Sequence, residues 1–485
     1  MIAVQDDVLR LLPEEARSAV QPVDHYLTEL GNAELFVRHY GDRVKHCKPR
    51  RKWLVWNGNH WQWDQRGTIV ELAKRTVRSL YSEASRCADE SRRKAIVTHA
   101  TRSEKATGIA AFLKLAESDP GVAVLPHELD SDPWLLNCKN GTLDLRTGRV
   151  RAPSRNDLIT KTTPVAYDVT AYSELWNRVL WQAVGSDTGL GEYMQKIAGY
   201  ALTGVSHERA FFFLHGPPGT AKSTFLDALH GALGDYAVSA SSDTWLVHTS
   251  TGGNRGDVVR LAGARLVTSS EVRPGGRWDT ALMKAITGGD MIVAAAKYEE
   301  SVEFRPACTL ILSANDAPSL RDDDDGMWAR IRRIPLIAQI PAEQQDRELK
   351  FKLQRPEHAA AILAWAVAGC LAWQLNGLGT CDAVEKSTAA YRNEMDLFGR
   401  FLDECCVLDS ETWISRAEFN KADNVGWCRD AGLRRPLSSR EIQTRLEARG
   451  CHAKTVNGNR RWAGVRTMYA AEQLRSDVVS LSDAR

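Results

Sequence analysis

The sequence predicts a multidomain α/β protein. Its centre is a P-loop nucleotidase core with parallel strands. An α+β domain precedes that core, and a small domain of helices and a basic hairpin follows it. Three observations carry this reading. Residues 211–226, Phe-Phe-Phe-Leu-His-Gly-Pro-Pro-Gly-Thr-Ala-Lys-Ser-Thr-Phe-Leu, join a short apolar strand to an amphipathic helix through a glycine-opened loop. Two more apolar runs, 264–271 and 308–315, are spaced as further core strands. Near the C-terminus an Asn457-Gly458 turn separates strand-like residues 451–456 from Arg460-Arg461-Trp462.

Length and composition bound the rest. A chain of 485 residues is too long for one core and suggests about three domains. With 63 Lys and Arg against 61 Asp and Glu, net charge is +2, so bulk charge does not recruit nucleic acid and any such contact must be local. The ten cysteines are scattered without a C-x-x-C pair, which reads as reduced thiols in a cytoplasmic protein with no zinc site. The N-terminus lacks a basic flank and a long apolar stretch, so no signal peptide is expected. No run reaches the roughly 18 apolar residues of a membrane span, and no membrane partner is expected.

Taken in order, residues 1–30 carry short helical patterns with Pro13 and Pro22 and read as a loosely attached arm. Residues 31–172 form the α+β domain. Asn57-Gly58 between Trp53 and Trp63 is a hairpin signal, helical patterns run from Val70 to about Ala116, and Asn140-Gly141 and Thr147-Gly148 mark further turns. Residues 173–376 form the nucleotidase module: helical 173–204, the three apolar strands, and a closing helical region near 343–376. Gly377-Leu-Gly-Thr is a hinge candidate. The final domain spans 377–473, and 474–485 is an expected disordered tail.

The loop 216–224 carries the chemistry. Backbone N–H groups of Gly216, Pro218's neighbours, Gly219, Thr220, Ala221 and Thr224, with Pro217 and Pro218 shaping the turn, can surround a polyphosphate at a helix N-terminus. Lys222 would reach the β- and γ-phosphates of ATP and the Ser223 hydroxyl would sit on Mg²⁺. Ala221 stands where the motif has glycine, and a methyl fits there if the residue has helical φ/ψ. Glu271 closes the apolar strand Leu266–Ser270 and is the candidate to hold Mg²⁺ or activate water; Ser270 stands where a second acid is common. Asn315 ends the next strand, where its amide could bond the γ-phosphate or orient water, or could equally make an Asx-turn before Pro318. Asp322–Asp325 read as a solvated acidic loop. The following Arg330, Arg332 and Arg333 could stabilise transition-state charge on a neighbour's ATP.

The order of these parts resembles superfamily 3 helicases. It is similar in particular to the helicase part of poxvirus-type and phage- or plasmid-type primase–helicases. The resemblance rests on the P-loop, the strand-end Glu271, Thr287-Gly-Gly-Asp290, the strand ending in Asn315, and Gly326-Met-Trp-Ala-Arg-Ile-Arg-Arg-Ile-Pro335. It implies an AAA+-like core, a homo-hexameric ring, ATP hydrolysis between subunits, and 3′→5′ movement on single-stranded and forked DNA. It assigns Lys222 and Ser223 to Walker A, Glu271 to Walker B, Asn315 to sensor 1, and Arg330 to the finger, with Arg332 and Arg333 as rivals. Little chain precedes residue 31, so a separate primase is the expected partner. Two other readings stay open: an AAA+-type loader that hydrolyses ATP without unwinding, and an origin-binding regulator in which ATP controls assembly.

Two regions are DNA-contact candidates. Residues 291–304 read as two strands with Lys297-Tyr298 at the tip. Alone this is a surface hairpin; the resemblance implies a channel hairpin in which Lys297 meets a phosphate and Tyr298 a base. The C-terminal helix capped by Ser438 or Ser439 exposes Arg440 and Arg445. Together with the hairpin bearing Arg460 and Arg461 it is winged-helix-like, a fold that binds DNA or protein.

Overall fold

The computed structural model describes residues 26–247, 256–271, 276–295, 301–320, 324–341, 343, 345–421, 439–456 and 458–468. The arm up to residue 25 and the tail from 469 lie outside the described residues. The expected helical region 70–116 is three helices, α2 (Thr68–Arg86), α3 (Glu90–Ser103) and α4 (Ala106–Ala116), preceded by α1 (Glu29–Tyr40). The break before α3 has a local cause: the Asp89 carboxylate accepts bonds from the Ser91 and Arg92 N–H groups. These helices bury Phe36, Val77 and Phe112 against a sheet in the order β3-β2-β1-β4. Its strands are β1 (Val44–Cys47), β2 (Lys52–Trp56), β3 (Trp61–Trp63) and β4 (Ala123–Val124). The Asn57-Gly58 turn is four residues long, with the Asn57 side chain accepting from the N–H groups of Asn59 and His60.

A second small sheet, β5 (Leu135–Cys138), β6 (Gly141–Asp144) and β7 (Arg149–Arg151), shares a core with the module that follows. Leu136 and Leu143 pack in one cluster with Ile197 and Leu229. The fully buried Arg265 ties the two together, donating to the Leu135 and Leu202 carbonyls at 2.7 Å each.

Helices α5 (Glu174–Ala183) and α6 (Thr188–Tyr200) lead into the central sheet. Its strands are β8 (Phe211–His215), β9 (Ala237–Ser239), β10 (Leu266–Ser269), β13 (Thr309–Ala314) and β14 (Ile331–Pro335), in the order β14-β8-β13-β10-β9 and all parallel. The protein is thus a mixed α/β fold with a parallel sheet. Both faces of that sheet are covered, which is why β8 is apolar without alternation. Phe212 and Leu214 face one core with helix α7 (Lys222–Leu233); Phe211 and Phe213 face another with Trp278 and Tyr391. Helix α8 (Thr280–Gly288) and the strand pair β11 (Ile292–Ala294) and β12 (Val302–Phe304) lie between β10 and β13 in the chain.

Helix α9 (Pro356–Asn376) crosses α6 so closely that a Cβ on Gly199 would lie 2.0 Å from the Cys370 nitrogen, and one on Gly369 would lie 2.0 Å from the Gln195 oxygen. Glycine at both positions permits the crossing. Among the described residues α9 alone is long and apolar enough to cross a membrane, at mean hydropathy 1.5 over its most apolar window; 56% of that window is buried here in the core.

Helix α10 (Asp382–Met395) packs along β14 and is followed by α11 (Leu397–Cys405). Strand β15 (Cys406–Ser415), helices α12 (Arg416–Lys421) and α13 (Ser439–Ala448), and strands β16 (His452–Val456) and β17 (Asn459–Thr467) complete the described residues. The sheet order is β15-β17-β16, antiparallel throughout. The sequence carries helical patterns near 396–405 and 415–430; the first is α11, the second is described only as α12, and no strand is expected at β15 between them.

Candidate nucleotide-binding cleft

The loop between β8 and α7 is shaped by two backbone requirements. At Gly216 a Cβ would lie 1.9 Å from the Leu336 carbonyl oxygen, so no side chain fits. Gly219 has φ +81°, a conformation that favours glycine. Ala221, at the α7 N-cap, corrects the sequence expectation: its φ is 61° and ψ 12°, left-handed rather than helical. A methyl there costs about 1–2 kcal/mol.

Lys222 is 9% exposed and curls back over the loop. Its ammonium donates to the Gly216 oxygen at 2.7 Å, the Pro217 oxygen at 2.8 Å and Thr220 Oγ1 at 3.3 Å. Burial pulls its pKa below the usual lysine value. A group that offers an ammonium three neutral acceptors in a half-dry pocket is poised to exchange them for phosphate oxygens.

The loop opens onto a cleft of about 690 Å³ at the C-terminal ends of β8, β10 and β13. Its walls bring together loop residues 218–224, Glu271, Ser313 and Asn315. Ligands of open parallel sheets bind at this kind of site. Glu271 lies two residues beyond β10, which ends at Ser269 rather than Ser270, and has φ 59°. A left-handed non-glycine residue at a cleft is a form of stored strain that clusters at functional sites.

Sequence reasoning missed several wall residues. His230 on α7 bonds Thr268 on β10 through Nε2 and Oγ1 at 2.6 Å, and burial holds its pKa low, so the ring is neutral at pH 7. Lys350 reaches Asp227 at 2.6 Å across the far wall. Such pairs join residues far apart in the chain and leave no local signature. Among the described residues no group of three or more His, Cys, Asp or Glu could hold a metal. The Ser223 hydroxyl and Glu271 carboxylate supply hard oxygen donors, which suit a magnesium ion that keeps its waters and takes phosphate oxygens.

The three arginines lie elsewhere. None lines the cleft. Arg330 donates to the Gly326 oxygen at 2.7 Å; Arg332 donates to the Ala329 and Ile331 oxygens at 2.8 and 2.9 Å. Arg333 corrects its standing as a rival finger. It is 7% exposed and turned into its own chain, with NH1 on Glu394 at 3.0 Å, NH2 on the His215 ring at 3.0–3.1 Å, and its guanidinium over Tyr391. Burial first, and the Arg333 charge second, push the His215 pKa down to about 4. The acidic loop is partly structural as well: Asp324 caps the helical turn 325–328 and bonds Lys284, and Asp325 pairs with Arg392.

The DNA-contact candidates are scattered. Lys297 and Tyr298 lie outside the described residues, although the flanking β11 and β12 pair antiparallel as expected. Arg445 is not on an exposed face: it lies 3.7 Å from Asp396 with its side chain 18% exposed. Arg440 and Arg460 are exposed, and Arg461 stacks on Trp413.

Comparisons agree with this geometry. A family model described as D5 N terminal like matches residues 33–185, and one described as a family of unknown function (DUF5906) matches residues 214–333. The chain is 24% identical over 337 residues to "Putative helicase L207/L206" of Acanthamoeba polyphaga mimivirus, covering 63% of this chain and 35% of that protein. It is 24% identical over 253 residues to "Putative helicase 022R" of Frog virus 3 (isolate Goorha), covering 48% and 26%. The chain spans about a third or less of the length of the curated relatives it matches. Its fold is similar to that of the A form apo NrS-1 C terminal region, with TM-score 0.50 and 10% identity, over 90% of this chain and 99% of that one. Taken with the order of motifs around the cleft, these matches agree with the resemblance read from the sequence: the chain is similar to viral putative helicases and shares its fold with the NrS-1 C terminal region.

Proposed function

We propose that the chain is an ATP-dependent replicative DNA helicase of a phage or mobile element. It works in the host cytosol as a hexameric ring and moves 3′→5′ on single-stranded DNA. The observation that carries this reading is the cleft itself, where Lys222, Ser223, Glu271 and Asn315 line one volume at the ends of three parallel strands. Loop amides and Lys222 would hold the β- and γ-phosphates, Ser223 and Glu271 would hold Mg²⁺, Glu271 would take a proton from the attacking water, and Asn315 would orient that water. Magnesium supplies charge neutralisation on the phosphates when bound. Arg330 acts on the neighbouring subunit's ATP.

The test is ATP turnover and unwinding of a duplex with a 3′ single-stranded tail, compared with Lys222→Ala. The parent should do both and the variant neither. Hydrolysis without unwinding selects a loader or remodeller; ATP binding without turnover selects an assembly switch. Electron micrographs with ATP analogue and single-stranded DNA should show six-fold rings on DNA.

A further inference from the structure

The C-terminal domain carries a surface that a groove-reading helix does not explain. With Arg445 held against Asp396, helix α13 offers less to a DNA groove than its sequence suggests. The sheet beside it offers more. Trp462 and Ile414 are buried and face one another across β17 and β15, which defines the inner face. Strand alternation then puts their neighbours on the outer face. There the register aligns two rows. One is Trp413, Ala463 and His452; the other is Ser415, Arg461 and Lys454.

The side chains on this face are arranged for stacking. Trp413 is 53% exposed, a large apolar ring left at the surface. The Arg461 guanidinium lies 3.6 Å from the centre of its ring, holding the indole in a fixed attitude. Lys454 is exposed directly opposite Arg461, and among the described residues neither cation pairs with a carboxylate. Ala463 is small, so the floor beside the indole is open. Glu418, on the neighbouring helix α12, is occupied with the Ser415 hydroxyl at 2.6 Å. An exposed aromatic flanked by unpaired cations on a sheet is complementary to a nucleic-acid single strand, whose bases present π-faces and whose backbone is anionic. A duplex hides those faces.

We propose that the outer face of β15-β17-β16 is a stacking platform for single-stranded DNA, with Trp413 taking a base and Arg461 and Lys454 its flanking phosphates. The platform deepens the helicase reading, on which it rests for DNA as the partner. It gives the C-terminal domain a single-strand grip separate from the hairpin at 291–304.

The experiment uses the full chain without nucleotide and a fluorescent thirty-nucleotide oligo-dT. Trp413→Ala should weaken binding about 5- to 150-fold, the range for loss of one base–aromatic stack, while Trp413→Phe stays near the parent. Arg461→Gln with Lys454→Gln should flatten the log–log salt slope by about 0.7 for each lost contact. A bromodeoxyuridine oligonucleotide should photocrosslink to Trp413 in the parent. Circular dichroism and DNA-free ATPase of Trp413→Ala should match the parent, since the ring is half exposed. Parent-like oligo-dT binding by Trp413→Ala, together with no crosslink at Trp413, overturns the proposal. Equal loss of duplex binding in Trp413→Ala also overturns it, because that result marks groove docking instead. Fork unwinding by the parent separates the two readings. If the parent unwinds while Trp413→Ala binds normally, only the platform falls. If the parent fails to unwind while the Trp413 effects hold, the platform stands without the helicase.

Discussion

Arg333 distinguishes a structural arginine from a catalytic one, and its replacement by alanine has a size the structure sets. The change removes a charged donor from His215 and from Glu394, and a cation from the Tyr391 face. Glu394 is half exposed, so that ion pair is worth at most a surface pair, about 0–1 kcal/mol. The buried bond to the imidazole is worth about 1–1.5 kcal/mol and the cation–π contact about 0.5–1. The expected loss is therefore about 2–3 kcal/mol, which lowers the melting temperature of a domain of this size by roughly 4–12 °C. Thermal unfolding of the core around the cleft, followed with and without nucleotide, reads it. The pH dependence adds a second signature. The folded His215 pKa, about 4, lies below its ordinary value, so the neutral ring's contribution is complete above about pH 6.5 and is lost as pH falls toward 4. Without the Arg333 charge that pKa rises, and the acid-side loss of stability becomes smaller. Mixing Arg333→Ala with Lys222→Ala subunits should rescue nothing, because the defect stays inside each subunit. A variant that melts with the parent and is rescued by mixing would make Arg333 the group acting in trans and refute this reasoning.

Arg330→Ala should behave in the opposite way: parent-like melting, lost hydrolysis with ATP still bound, and partial rescue on mixing with Lys222→Ala, measured as ATPase of mixed rings. A finger supplied in trans is worth on the order of 10³–10⁵ in turnover. Ala221→Gly should stabilise the core by about 1 kcal/mol, or about 2–4 °C, by relieving the left-handed alanine; a lower melting temperature would contradict the backbone assignment. Glu271→Gln should bind nucleotide with near-parent affinity and hydrolyse it far more slowly, since an amide accepts no proton; unchanged turnover moves the base elsewhere. Lys297→Ala should spare basal ATPase, abolish unwinding and flatten the single-strand salt slope by about 0.7 per contact, and normal fork unwinding would remove the hairpin from translocation.

What was legible in the sequence depended on local chemistry. The strand, loop and helix at 211–233 were read because an apolar run, glycines and Lys222-Ser223 occupy adjacent positions. β10 and β13 were read because strands buried on both faces are continuously apolar. Ala221 was misjudged because the residue type gives no sign of its φ. Arg330 is the favoured finger, but one basic run leaves Arg332 and Arg333 as rivals; the packing of α10 against β14 turns Arg333 inward onto Glu394. Arg445 was expected on an open face because Asp396, its partner, lies 49 positions away and carries no local mark. β15 was missed because Leu408 to Trp413 interrupts its alternation with a register shift. The turns Asn140-Gly141 and Thr147-Gly148 do join the strands β5, β6 and β7, but the packing of those strands against Ile197 and Leu229 depends on contacts the local pattern does not encode.

The pairing of β14 with β8 also bears on how a ring could hydrolyse ATP. The two strands run parallel in register from Ile331 opposite Phe211 to Pro335 opposite His215. The Phe211 N–H bonds the Arg330 oxygen at 2.9 Å at one end, and the Leu336 N–H bonds the His215 oxygen at 2.8 Å at the other. Arg330 therefore sits at the start of β8 and the phosphate loop at its finish, about 20 Å apart by strand rise. That exceeds the reach of a guanidinium, so Arg330 cannot serve the cleft of its own chain without breaking the sheet. If it serves any nucleotide, it serves another subunit's. The same pairing places the phosphate loop and Arg330 at opposite ends of one strand pair. Gly216 approaches the Leu336 oxygen, just past β14, so closely that a Cβ there would lie 1.9 Å from it, so the loop and the end of the strand are in direct contact. If Arg330 does act in trans, this strand pair, held to α10 by the buried Arg333, is the physical link between one cleft and the arginine offered to the next.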